Sequence, residues 1–209
     1  MSALLLKDFY MIKRYCRAYL LIAVVFCVAS VANQENMFFT FYPCLLCGMI
    51  PVNLLAYDER SRWMQYCGTL PYTKAQIVSG KYLVSLITMV TVLVMTGIAQ
   101  IVRMLRNGCF DLKELLMILT MVLTMAAITS SITMPFIFRW GVEKGRIAYY
   151  VMIGFVCAGG VLAGPFLQTQ AQAELSDVAF FALLALIGVG VFALSWYLSI
   201  LFFRKRELR

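Results

Sequence analysis

Asp58 to Lys81 reads DERSRWMQYCGTLPYTKAQIVSGK and separates two long apolar runs, Met37 to Tyr57 and Tyr82 to Val102. Its charged and turn-forming side chains are unsuited to hydrocarbon, so the stretch is expected in water and the runs beside it become separate, antiparallel spans. The rest of the chain follows the same logic. Hydrophobic residues make up 63% and charged residues 13%, with a mean hydropathy of +0.86, which lies outside the range of soluble domains. The apolar runs are continuous and lack the alternation of a barrel strand, and every amide in lipid must bond internally, so helices are expected.

Runs of about the ~20 residues a bilayer needs fall near 18–32, 37–57, 82–102, 115–138, 147–167 and 178–203. The expected architecture is a single all-α integral membrane domain over 1–209 with six transmembrane helices. Basic residues near span ends favour the cytoplasmic side. With both termini inside, 15 of the 18 Lys and Arg fall on that side, and only Arg103, Arg106 and Lys113 fall outside. Topology thus accounts for the net charge of +8, and nucleic-acid binding is not needed to explain it.

Within 1–17, Leu5, Phe9, Ile12 and Cys16 recur at helical spacing opposite Lys7, Tyr10, Arg14 and Arg17. This pattern predicts an amphipathic helix lying flat in the headgroup layer, an elbow leading into the first span. Inside the polar stretch, Asp58 with Arg62 and Glu59 with Trp63 stand at i,i+4, which predicts that the second helix continues past the membrane surface before Gly68 breaks it. Thr73 to Gln76 has the form of a capping box, so a new helix is expected from Lys74 into the third span.

Other features are read first as packing. Cys44 and Cys47 form a CxxC inside an apolar run without a histidine or a second pair, so both are expected to act as small hydrophobes. Pro43 and Pro51 can kink the second span. Thr129, Ser130, Ser131 and Thr133 put hydroxyls in the fourth span, able to bond their own helix or a neighbour. Gly160 and Gly164 form a GxxxG in the fifth, a candidate for a close helix-helix interface.

Glu59, Leu70-Pro71, Lys74 to Ile77 and Lys81-Tyr82 resemble the first cytoplasmic loop of permease subunits of type-2 ABC exporters. Pro135 and the run Phe138 to Arg146, FRWGVEKGR, are similar to the segment such permeases carry after the fourth span; Leu6-Lys7-Asp8 near the start adds to the match. The resemblance implies a bacterial cytoplasmic membrane protein that works with ABC ATPase subunits and a second permease copy or paralogue. ATP and Mg would then be held by the partner. It assigns ATPase coupling to Asp58, Glu59, Arg60, Arg62, Leu70, Pro71 and Lys74, and a second cytoplasmic loop to Arg139, Gly141, Glu143, Lys144 and Arg146. Exported peptides, toxins or drugs are the substrates it implies.

The residues agree with an external energy source. No GxxxxGK[ST] phosphate loop is present, there is no histidine, and none of the runs carries a charge in its interior. An amphipathic substrate would suit a path of apolar, aromatic, Met and hydroxyl side chains. The alternative is a membrane immunity or scaffold protein without an ATP cycle.

Overall fold

Thr73 opens the longest helix, and it does so by the predicted chemistry. Its hydroxyl accepts the Gln76 amide at 3.3 Å while the Gln76 side chain accepts the Thr73 amide at 3.0 Å, a complete capping box. The structure, a computed structural model, describes residues 2–32, 38–67, 72–108, 110–170 and 177–205, with the side chains of 159–170 and 177–182 among those left out. Gly68, Leu70 and Pro71 lie outside the described residues.

Eight helices make up the described chain: α1 (Ser2–Tyr15), α2 (Arg17–Ala32), α3 (Phe38–Arg60), α4 (Trp63–Cys67), α5 (Lys74–Asn107), α6 (Leu112–Trp140), α7 (Val142–Gln170) and α8 (Asp177–Lys205). Each apolar run of the sequence is helical. Among the described residues, α3, α5, α6 and α8 are long and apolar enough to cross a membrane, and α1 with α2, bent by 67° at Cys16, make a fifth if taken as one broken span. α3 runs through both Pro43 and Pro51. α5 ends at Gly108, whose φ of 70° is the left-handed cap that glycine adopts without strain.

Two expectations are corrected. The second helix does not continue through Arg62: α3 stops at Arg60, Arg62 takes a φ of 53°, and α4 starts in a new direction. The i,i+4 pairs of Asp58 with Arg62 and Glu59 with Trp63 therefore do not form. The cause is burial. Trp63 and Cys67 pack into a core with Leu4, Val52, Leu55, Ile77, Val78, Phe138 and Phe203, which a straight helix would carry away into water. The faces of α1 also differ from the periodic reading. Leu4 and Asp8 turn inward and Phe9 is 61% exposed, whereas Cys16, at the break after α1, is buried as the apolar face requires.

A second core joins Cys16, at the α1–α2 break, to Ala23, Cys44, Ile50, Val92, Ile118, Val122 and Ala126 from α2, α3, α5 and α6. The Cys44 thiol donates to the Val122 carbonyl at 3.5 Å, and Cys44 packs as a small hydrophobe. At Gly48, a Cβ would stand 2.7 Å from the Thr129 methyl, so glycine lets α3 and α6 approach there.

Candidate functional site

The predicted first and second polar loops meet at one end of the bundle. The Glu59 carboxylate, in the last turn of α3, accepts the backbone N–H of Val142 at 2.9 Å. Val142 is the first residue of α7, so Glu59 satisfies one of that helix's open amides and places negative charge at the positive end of its dipole. Gly141 makes the junction possible. Its φ of 89° is unfavourable for other residues, and its amide still closes α6 on the Ile137 carbonyl at 2.9 Å. Gly145 then packs α7 directly over Ile137, where a Cβ would collide with that side chain.

The junction borders an open cleft of about 540 Å³ lined by Asn53, Glu59, Arg60, Glu143, Lys144 and Arg146, among others. Arg60, Glu143, Lys144 and Arg146 are exposed. The Asn53 amide nitrogen is buried beside it with no hydrogen-bond partner among the described residues. The Arg139 guanidinium lies over the rings of Trp140 and Phe202, at 4.7 and 5.0 Å, and so ties the end of α6 to α8. Lys74 donates to the Arg204 carbonyl at 3.3 Å near the C-terminal end of α8, a favourable place for a cation.

Behind this face lies a buried ionic cluster. The Lys81 ammonium donates to both Asp8 oxygens at 2.7 and 2.9 Å and stands 2.5 Å from Asp58 Oδ2. Lys7 donates to Asp58 Oδ1 at 2.6 Å and lies 4.2 Å from the Trp63 ring centroid. Asp8, Asp58 and Lys81 are all buried, and only Lys7 is partly open. Two cations and two anions leave the cluster neutral: the Lys81 ammonium hydrogen-bonds both Asp8 oxygens and meets Asp58 Oδ2 as an ion pair without hydrogen-bond geometry, so opposite charge, and not a full set of hydrogen bonds, offsets its burial at Asp58. The cluster joins α1, α3 and α5, while Lys7 stacks on α4. Burial pushes the thiol of nearby Cys67 above its ordinary range, with Lys7 pulling it down and Asp58 raising it.

A hydroxyl belt continues from the cluster into the bundle. Tyr82 Oη lies 2.7 Å from both Ser195 Oγ and Ser199 Oγ, Ser195 donates to the Ser131 carbonyl, and Ser85 donates to Ser130 at 2.9 Å. Thr129 and Thr133 turn their hydroxyls onto their own helix, bonding Met125 and Thr129 carbonyls. These side chains are buried and act in packing, with their hydroxyls matched within or between helices, except that the buried Ser131 Oγ has no hydrogen-bond partner among the described residues.

The structure thus brings Glu59 and Arg60 together with Gly141, Glu143, Lys144 and Arg146, and leaves Arg62 exposed beside the α4 turn. Asp58 does not belong to an exposed surface: it is 1% exposed and serves the ionic cluster. Gly160 and Gly164 lie in α7, in the part whose side-chain surroundings are not described. The periodic reading missed Lys81 and Asp8 as interior charges. A signal was present for Lys81, because Ile77, Val78, Lys81, Tyr82 and Ser85 share one helical stripe, and that stripe is otherwise made of residues that pack.

A helical bundle with these apolar spans is a multi-pass membrane protein. The family model described as ABC-2 family transporter protein matches residues 3–204, so the chain belongs to that family and is a permease subunit, the membrane part of an ABC transporter. Searches of curated proteins and of solved structures give no match.

Proposed function

We propose that this permease subunit is driven by a separate ABC ATPase that docks on the face formed by the end of α3, the α4 turn and the α6–α7 junction. The observation that carries this reading is the hydrogen bond from Val142 to Glu59, 2.9 Å long. It joins two loops distant in sequence into one unit, so force applied to either reaches α3, α6 and α7 together. Exposed Arg60, Arg62, Lys144 and Arg146 give the face a positive excess suited to an acidic partner surface.

In this reading the chain crosses a bacterial cytoplasmic membrane six times with both termini inside, pairs with a second permease and exports an amphipathic peptide, toxin or drug-like molecule. The distribution of basic residues supports the orientation, and the hydroxyl and apolar interior supports an amphipathic cargo. Leu70, Pro71 and Lys74 complete the proposed docking ridge, and Gly160 with Gly164 the proposed pairing surface.

The test is co-expression with ABC ATPase subunits from the same organism, followed by affinity capture and ATPase assay in vesicles. Glu59→Ala and Arg60→Glu are expected to reduce vesicle ATPase activity at least several-fold while the permease itself stays folded. Undiminished capture and activity in both variants would remove the docking assignment.

A further inference from the structure

Between α2 and α5 runs a groove of about 550 Å³. Its floor is made of the small, buried residues Cys27 and Ala99. Val28 on one wall and Ile98 on the other are 65% and 58% exposed, so the groove opens outward from the bundle. The α5 wall follows one helical stripe, Met95, Ala99, Val102 and Arg106. All but the last are apolar.

Dimensions and charge select the occupant. From Met95 to Val102 the apolar part of the stripe rises about 10 Å at ~1.5 Å per residue, about two thirds of one leaflet of the ~30 Å hydrocarbon. The headgroup-proximal part of one acyl chain fits that length. Tyr82 to Val102 covers about 30 Å by the same rise, so Arg106 stands one turn beyond the hydrocarbon, at headgroup depth. The neighbouring cation Arg103 is already paired with Glu114 at 2.9 Å, whereas Arg106 pairs with no carboxylate among the described residues. We propose that this groove is a phospholipid site: an acyl chain lies over Cys27 and Ala99, and Arg106 binds the phosphate of an anionic headgroup.

The site requires only that α5 crosses the bilayer, and it is independent of ATPase docking. It can be tested on the purified permease in vesicles, with Ile98→Trp as a reporter on the groove wall and Ile87→Trp, 51% exposed on α5, as a reporter elsewhere. The fluorescence that each added indole contributes is quenched with brominated phosphatidylglycerol or brominated phosphatidylcholine in mixed bilayers.

One basic residue near a headgroup corresponds to about a fivefold preference for the anionic lipid. That preference is expected at residue 98, absent at residue 87, lost when Arg106→Gln is added and kept with Arg106→Lys. Equal quenching by the two lipids at residue 98, unaltered by Arg106→Gln, would overturn the proposal and leave ordinary lipid contact. Quenching that appears only when the protein is diluted in lipid would also overturn it, and would assign the groove to a second copy of the chain.

Discussion

Lys81 and Asp58 stand 2.5 Å apart with side chains 5% and 1% exposed, so the two ends of the longest polar stretch in the chain close on each other inside the protein. The stretch is therefore a clasp in which Glu59 to Arg62 are exposed while its ends, Asp58 and Lys81, are buried. Because the same Lys81 also holds Asp8, the clasp fastens α1 to the ends of α3 and α5.

Removing one member should cost far more than removing a balanced pair. Lys81→Met leaves a buried carboxylate without its partner and is expected to destabilise the permease by about 3–5 kcal/mol. Adding Asp8→Leu restores neutrality, with Lys7 and Asp58 still paired, and should recover most of that loss. Thermal or denaturant unfolding in detergent measures both, and a double variant no more stable than Lys81→Met alone would contradict the neutral cluster.

Glu59→Ala should free the first amide of α7. An N-terminal cap contributes about 1 kcal/mol, so the Val142 amide is expected to exchange hydrogen roughly five times faster in the variant. Glu59→Gln retains an acceptor oxygen and should preserve most of the protection, which separates geometry from charge.

Gly48→Ala tests the approach of α3 to α6. Alanine would normally favour a helix, yet its methyl would meet the Thr129 methyl at 2.7 Å, so a loss of about 1–3 kcal/mol is expected. Thr129→Ser removes that methyl while keeping the hydroxyl that bonds Met125, and should rescue the variant in an unfolding assay. Gly154→Ala, with nothing among the described residues within 4 Å of the added carbon, should be neutral.

Cys67 reports on the clasp. Burial raises its pKa and hides the thiol, so with Cys67 as the sole cysteine, maleimide labelling at pH 7.5 should be slow and should still be rising with pH above 8.5. Lys7→Met removes both the contact with Trp63 and a cation that favours the thiolate. If α4 stays in place, labelling should slow further; if α4 is released, it should accelerate, and the sign of the change shows whether Lys7 holds α4 down.

Helical character, the apolar runs and the Thr73 cap follow from the sequence alone, because they depend on composition, on periodicity and on hydrogen bonds between residues three apart. The two loops that make the candidate site were legible as well: Gly141 and Gly145 stand in a run where only a tight turn and a close approach make use of glycine. What the tertiary structure decided is which polar residues face water. Asp58 and Glu59 are adjacent acidic residues with the same local signal, yet one is buried against Lys7 and Lys81 and the other caps α7 at the surface. Their difference depends on partners 51 and 83 positions away in sequence. A charge can enter the interior only where opposite charge arrives from another helix, and local spacing carries no record of that meeting.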